Sequence, residues 1–272
     1  MKKDFFIFFD FTKKLFRDRY LLWMLTIREL KASYVGSLFG FAWAIFNPLF
    51  LLAIYGIVFG VFFKSKPDPT YGTDSFLFFL LCGIVPWQFF AQTLSASTET
   101  ILSNKNLVKR STGFPSEVLP VTNVFSNLVS HFIGIVLLMI LLLFGGVRLN
   151  PAMPLIFVYL FFASVFTVGL AWILASANVF LRDIGQILNI LIMGMFFMIP
   201  IVYPASFVPP GHLFVLKLNP IFHFVEGYRY ALLAGHALPP LDLAYFGVVS
   251  FVTFGIGGVF FRRLKPLFAE ML

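Results

Sequence analysis

The sequence predicts an all-α integral membrane protein with six membrane-spanning helices, and its composition and charge placement lead to this prediction. Hydrophobic residues make up 60% of the 272 positions and charged residues only 12%. Soluble domains are about a quarter charged, so most of this surface must face lipid. The formal net charge of +8 does not indicate a nucleic-acid partner, because the charges lie outside the long apolar runs, where membrane topology requires them.

Residues 1–31 precede the first span and predict an amphipathic helix lying in the membrane plane. One face of this helix carries the charged Asp10, Lys13, Lys14 and Arg17, and another carries Phe8, Phe11, Leu15 and Leu22. The first nine residues resemble a signal peptide, but charged residues then interrupt the apolar run and no small-residue cleavage site follows.

Residues 32–272 are predicted to form one transmembrane domain with six apolar segments. A crossing helix needs about 20 apolar residues, because it rises about 1.5 Å per residue through about 30 Å of hydrocarbon. The predicted spans contain no Asp, Glu, Lys or Arg and cover about residues 38–63, 75–97, 121–147, 155–181, 184–203 and 243–261.

The basic residues predict the orientation, because cytoplasmic loops carry an excess of Lys and Arg. Fifteen of the 20 Lys and Arg residues precede the first span or follow the second, fourth and sixth spans. Both termini are therefore predicted to be cytoplasmic.

Arg182 and Asp183 are the only charged residues between residues 155 and 203. We interpret them as a short cytoplasmic turn, because one continuous helix over that range would be far too long for a bilayer. The alternative is an ion pair buried inside the membrane, which would place two ions in hydrocarbon.

The segment between the fifth and sixth spans predicts two short helices at the outer mouth. Proline residues near 209 and 220 divide it into two apolar pieces, 212–218 and 221–234, and both are too short to cross a bilayer. We interpret them as re-entrant or interfacial helices, and a surface loop with amphipathic helices is the alternative. The residues predicted at this outer mouth are Asn219, Pro220, Glu226 and Arg229, and the spacing of three residues between the last two predicts a structural ion pair.

Several kinds of chemistry have no sequence signature in this chain. No glycine is followed by lysine, so the phosphate-binding P-loop pattern is absent, and the four histidines lack metal-ligand spacing. The spans contain no acidic residue of the kind that couples transport to protons or sodium ions. We therefore expect no catalytic residue, cofactor or metal in this chain, and any transport would draw its energy from another polypeptide.

Five segments carry a resemblance to a known family. They are residues 28–49, 104–121, 177–204 and 216–232 and the C-terminal FFRRLKPLFAEML. In this order they resemble the integral-membrane permease of the ABC-2 class of exporters. The closest resemblance is to the polysaccharide and polyol phosphate family, whose members export O-antigen, capsule or teichoic acid.

The resemblance implies a homodimeric permease in the bacterial inner (plasma) membrane. Two copies would pair with two copies of a nucleotide-binding ATPase subunit, which uses ATP and Mg²⁺ and drives a lipid-linked, O-antigen-like polysaccharide out of the cytoplasm. Closure of the ATPase subunits would shift the first and fifth spans to open a path. An ABC-2 exporter of teichoic acid, drugs or other lipids is one alternative. A membrane-embedded glycosyl- or acyltransferase is another, and it would need a His/Asp/Glu constellation that the sequence lacks.

The connection between the second and third spans is the place where the resemblance puts a coupling helix docked on the ATPase. A short basic helix over 104–111, ended by Gly113 and Pro115, agrees with this position. The alternative is a basic anchor at lipid headgroups. The predicted ATPase-coupling residues are Asn104, Lys105, Leu107, Lys109, Arg110, Phe114, Pro115 and Glu117.

Two stripes in the spans suggest a glycan path, because sugar rings stack on aromatic faces and bind polar groups. The predicted path residues are Phe39, Trp43, Phe46 and Phe50 of the first span and Asn127 and His131 of the third. Lipid contact and hydrogen bonding between helices are the respective alternatives. The residues predicted at the cytoplasmic gate are Arg28, Lys31, Arg182 and Asp183.

Overall fold

A computed structural model of the chain describes residues 17–32, 39, 42–58, 69–110 and 114–272, which are helical apart from turns and short connections. The first six helices are α1 (Arg19–Ala32), α2 (Trp43–Tyr55), α3 (Phe76–Ser103), α4 (Lys105–Arg110), α5 (Val118–Phe144) and α6 (Leu155–Phe180). The remaining helices are α7 (Ile184–Met198), α8 (Pro210–Lys217), α9 (Pro220–Arg229), α10 (Pro240–Leu264) and α11 (Phe268–Met271).

Among the described residues, four helices are long and apolar enough to cross a membrane, namely α3, α5, α6 and α10 with its extension to Met271. They confirm the second, third, fourth and sixth predicted spans. Helices α2 and α7 are apolar but have only 13 and 15 residues, fewer than the about 20 of a full crossing. Within the described residues, the first and fifth predicted spans are therefore represented by shorter apolar helices, and residues 38, 40, 41 and 59–63 of the first lie outside the described part.

Helix α3 occupies the centre of the bundle and contacts α5, α6, α7 and α9. Of its 28 residues, 18 are buried, because its sequence is apolar on nearly every side. Pro86 lies within this helix and removes one backbone hydrogen bond from it.

Helices α6 and α10 approach each other closely at two glycines. A Cβ atom at Gly257 would lie 2.1 Å from the backbone oxygen of Gly169, so only glycine fits there. Just beside this contact the rings of Trp172 and Phe254 pack with their centroids 4.9 Å apart. Small residues allow two membrane helices to pack backbone against backbone.

The turn predicted at Arg182 and Asp183 is confirmed. Helix α6 ends at Phe180, α7 begins at Ile184, and both charged side chains are exposed. The alternative of a buried ion pair at this position is wrong, because both side chains are exposed in the turn between the two helices.

Two short helices follow α7, as predicted, and Asn219 and Pro220 separate them. The Oδ1 atom of Asn219 accepts a hydrogen bond from the backbone N–H of Ile221 at 3.0 Å and so caps α9. Every residue of α9 is buried, whereas none of α8 is. Helix α9 therefore belongs to the interior of the bundle and α8 to its surface.

One end of the bundle carries several exposed basic residues. At this end α3 finishes and α4, α5 and α7 begin. The exposed charges there include Arg28, Lys31, Lys105 and Arg182. We call this the basic end. Helix α1 packs Leu25 on Val118 and Leu119 at the start of α5. Residues 1–16, which carry most of the predicted in-plane helix, lie outside the described part of the chain.

Candidate functional site

A cleft of about 350 Å³ lies between α2, α3 and α5. Its polar lining consists of Asn47, Gln88, Gln92, Asn127, Ser130 and His131, and its aromatic lining of Trp43, Phe50 and Phe89. Gln88 and Gln92 are four residues apart on α3, so they project from the same helix face. The polar cleft, as we call it, has the volume of about a dozen water molecules.

The amide side chains of the polar cleft are available to a ligand or to water. Within the described part of the chain, the side chains of Asn47, Gln88 and Gln92 form no hydrogen bond with another residue. Each amide has one acceptor oxygen and two N–H donors. Because such groups are costly to leave unpaired in hydrocarbon, they must face water or a polar cargo.

His131 connects the polar cleft to the buried helix α9. Its Nε2 atom lies 2.8 Å from the hydroxyl oxygen of Tyr228, and its ring packs against Phe89 with 5.1 Å between the centroids. One wall of the cleft is therefore fixed to the helix at the opposite end of the bundle.

Four of the six predicted path residues line this cleft, namely Trp43, Phe50, Asn127 and His131. The other two pack on them from the side, with ring centroids 5.7 Å apart for Phe39 and Trp43 and 6.3 Å apart for Trp43 and Phe46.

Sequence reasoning missed Asn47, Gln88 and Gln92. The signal for the two glutamines was their four-residue spacing in an otherwise apolar span.

A short helix, α4, lies where the coupling helix is predicted, directly after α3 at the basic end. We call residues 104–117 the coupling segment after that prediction. Lys105 and Lys109 are exposed, and Leu107 is partly buried. Phe114 packs against the cluster of Leu25, Val118 and Leu119, so the segment after α4 is attached to both α1 and α5. The side chain of Arg110 and residues 111–113 lie outside the described part of the chain.

Asn104, another predicted coupling residue, joins α3 to α1. Its Oδ1 atom accepts a hydrogen bond from the Arg28 guanidinium at 2.7 Å, and its Nδ2 atom donates to the Thr100 carbonyl at 2.9 Å. The structure thus pairs Arg28 with the coupling segment rather than with Arg182 or Asp183. Lys31, the fourth predicted gate residue, is exposed at the end of α1.

Glu117 is the innermost of the predicted coupling residues. It is 2% exposed, and its Oε2 atom lies 2.5 Å from the Lys265 ammonium after α10. The backbone carbonyl of Glu117 also accepts a hydrogen bond from the Trp172 indole at 2.9 Å. Pro115 is partly buried two residues earlier. Through these contacts the coupling segment is attached to both α6 and α10.

The predicted pair of Glu226 and Arg229 forms, but deep inside the protein. Their side chains are 2% and 0% exposed, and Oε1 of Glu226 lies 2.7 Å from Nη1 of Arg229. The Tyr71 hydroxyl donates to Oε2 of Glu226 at 2.8 Å. Burial and the Glu226 carboxylate raise the pKa of the Tyr71 phenol well above its ordinary value, so it stays a donor.

The Arg229 guanidinium also binds three backbone carbonyls. It donates to Pro200 at 2.5 Å, to Ile201 at 2.6 Å and to Phe79 at 3.2 Å. It lies 3.7 Å from the centre of the Phe79 ring, close enough for a cation–π contact. Arg229 thus fixes α9 to α3 and to the segment after α7.

Comparison with protein families identifies this architecture. The model of the ABC-2 type transporter family matches residues 20–233. The chain belongs to that family. The match includes the polar cleft, the coupling segment and the buried Glu226–Arg229 pair, so these features lie in the ABC-2 domain itself.

Curated relatives align with nearly the whole chain. It is 30% identical to an O-antigen export system permease protein RfbA of Myxococcus xanthus over 263 residues, covering 96% of this chain and 98% of that protein. A protein of the same name from Klebsiella pneumoniae is 29% identical over 260 residues, covering 93% and 95%. The polysialic acid transport protein KpsM of Escherichia coli is 25% identical over 240 residues, covering 88% and 91%.

Proposed function

We propose that this ABC-2 chain is the permease subunit of an ATP-driven exporter of lipid-linked polysaccharide, with an O-antigen-like glycan as cargo. The polar cleft is the observation that carries the proposal. Unpaired amides beside the exposed ring of Phe50 and the half-buried ring of Trp43 provide both kinds of contact that a sugar chain needs. The names of the relatives, which specify O-antigen and polysialic acid, support the same cargo class.

The basic end faces the cytoplasm in this proposal, because cytoplasmic loops carry the excess of Lys and Arg. The chain then spans the bacterial inner (plasma) membrane six times, with both termini and α4 on the cytoplasmic side. Two copies of a nucleotide-binding ABC ATPase subunit bind at α4, and the exposed Lys105 and Lys109 provide its first contacts. This chain supplies no P-loop, so ATP and Mg²⁺ bind to the ATPase subunits.

The exposed face of α7 supports a homodimer. Gln186 and Asn189 are both exposed and lie three residues apart, on one face of a helix whose other exposed residues are apolar. Amide groups facing lipid would be costly, so this face is better placed against a second copy of the chain or along the path between two copies.

Export from proteoliposomes tests the proposal. The chain is reconstituted with its ATPase subunit and given a lipid-linked O-antigen-like glycan, and we expect ATP hydrolysis to rise and the glycan to reach the opposite leaflet. The double substitution Gln88→Leu and Gln92→Leu should lower export about tenfold, because two hydrogen bonds of about 0.5–1.5 kcal/mol each are lost.

Thr253→Val is the matched control, since it makes a polar-to-apolar change in a span outside the cleft. Equal export by the double variant and the control would contradict the role of the polar cleft. ATP hydrolysis stimulated by a drug or a teichoic acid, and not by the lipid-linked glycan, would favour another ABC-2 cargo. Glycosyl or acyl transfer by the isolated chain would overturn the proposal altogether.

A further inference from the structure

A second concavity, of about 670 Å³, lies between α5, α6 and α10, with the start of α1 at its mouth. Of the side chains that line it, only those of Arg19 and Ser164 are polar. The hydroxyl of Ser164 donates to the Leu160 carbonyl at 2.7 Å, so its donor is already paired within α6. We call this concavity the apolar groove.

The apolar groove and the polar cleft lie on different faces of α5. Leu128 and Phe132 line the groove, whereas Asn127 and His131 line the cleft. With 3.6 residues per turn, the two sets point about a third of a turn apart. Helix α5 therefore separates the two spaces, and an occupant of the groove does not enter the cleft.

Along α5, the length of the groove matches one leaflet of a bilayer. Its wall on α5 runs from Val121 to Phe132, which is twelve residues or about 16 Å. Half of a hydrocarbon core is about 15 Å thick. Val121 is near the start of α5 at the basic end, whereas Phe157, on the α6 wall, is near the start of α6 at the opposite end.

A cation lies at the mouth of the groove. Arg19 is exposed at its mouth, and the neighbouring carboxylate of Asp18 is engaged by Arg17, with 3.5 Å between Oδ1 and Nε. A guanidinium binds phosphate oxygens with two parallel hydrogen bonds. Exposed rings of Phe125, Phe161 and Phe251 lie further in, where acyl chains would pack.

We propose that the apolar groove binds an anionic phospholipid of the bilayer. Its phosphate pairs with Arg19 and one acyl chain fills the space among the phenylalanine rings. An unfilled groove of this size would forfeit the dispersion contacts of its lining, and a lipid chain restores them. The bound lipid bridges α1 to α6 and α10. This site does not depend on the exported cargo, so failure of the function proposed above would leave it standing.

Photo-crosslinking identifies the occupant directly. The full-length permease with its ATPase subunit is prepared in nanodiscs of phosphatidylglycerol and phosphatidylcholine, with Phe161→p-benzoylphenylalanine as the probe. We expect illumination to yield a phosphatidylglycerol adduct. A crosslinked dimer would assign the groove to a second copy, and a crosslink to residues 1–16 would assign it to the chain's own start. Either result would overturn the proposal.

Two substitutions test the headgroup and acyl-chain contacts by counting retained lipids in native mass spectra. Arg19→Gln should weaken retention of phosphatidylglycerol about fivefold and leave phosphatidylcholine unchanged, because one cation near an anionic headgroup is lost. Ser164→Phe fills the groove and should reduce retention of both lipids.

The controls are Arg17→Gln, whose side chain does not line the groove, and Val248→Phe, at an exposed position on α10 outside it. Circular dichroism and dimer mass establish that each variant is folded. Equal lipid retention by Arg19→Gln and Arg17→Gln, or by Ser164→Phe and Val248→Phe, would overturn the proposal. Unequal retention within each pair, in the stated direction, supports it.

Discussion

Two arginines of this chain, Arg229 and Arg182, lie in opposite surroundings. Arg229 is fully buried and binds Glu226 and three backbone carbonyls, whereas Arg182 and Asp183 are both exposed at the turn between α6 and α7. A buried charge persists only where partners replace its lost hydration, and an exposed charge needs none. The same residue type therefore stabilises the tertiary structure in one place and lies in an exposed turn between two helices in the other.

Removing the buried arginine should have the largest effect on stability. Arg229→Leu leaves Glu226 buried without its cation and frees the three carbonyls, so we expect a loss of about 3–5 kcal/mol. Unfolding of the purified chain in mixed micelles measures it. The double variant Glu226→Leu and Arg229→Met should recover part of this loss, because no unpaired charge then remains. An unchanged midpoint for Arg229→Leu would contradict the role assigned to the pair.

Placing a methyl group against the Arg229 guanidinium should have the second-largest effect on stability. A Cβ atom at Gly83 would lie 2.5 Å from Nη2 of Arg229, which its hydrogen bonds hold in place. Gly83→Ala is therefore expected to cost about 1–3 kcal/mol in the same unfolding experiment. Gly194→Ala is the matched control, because a Cβ there meets nothing within 4 Å and alanine favours a helix. Equal effects at the two glycines would show that the Arg229 site can relax.

The ion pair of Glu117 and Lys265 is intermediate in exposure between Arg229 and Arg182, with side chains that are 3% and 29% exposed. Glu117→Gln keeps the backbone carbonyl that accepts from Trp172 and weakens the charged contact with Lys265. We expect a loss of about 1.5 kcal/mol, since hydrogen bonds to charged groups contribute on this scale. Lys265→Met should cost a similar amount, and a much smaller loss there would mean that Glu117 is stabilised by other groups.

Removing the exposed Arg182 should have the smallest effect on stability. Arg182→Gln is expected to change the free energy of unfolding by less than about 0.5 kcal/mol, because water solvates both charges. The measurement is the same unfolding midpoint, which makes the four variants directly comparable. A loss of 2 kcal/mol or more would reveal a partner for Arg182 and remove the contrast between the two arginines.

Local patterns were sufficient to predict much of this fold. The charged turn at Arg182, the break at Asn219 and Pro220 and the short helix after Asn104 each depend on a few neighbouring residues, and all three are present. The spacing of Glu226 and Arg229 predicted their pairing as well. The lengths of the helices were harder to predict, because an apolar run shows which residues can face lipid but not where a helix begins or ends.

The features that were missed depend on contacts between distant segments. Nothing near Arg229 in the sequence indicates that Phe79, Pro200 and Ile201 would supply its acceptors. The amides of the polar cleft come from three helices, so only the packing of α2, α3 and α5 brings them together. Prediction from local patterns therefore found cleft residues on α2 and α5 and none on α3.

The close contact of α6 and α10 at Gly169 and Gly257 restricts how the molecule can move. Side chains can slide past one another by changing rotamers, but two backbones in direct contact have no such freedom. We therefore expect α6 and α10 to move together as a rigid body. Helix α7, by contrast, has only Leu188 buried, and α2 has no buried residue among those described. Hinge motion during a transport cycle should therefore be sought in α2 and α7, which bury few residues, while α6 and α10 keep their relative positions.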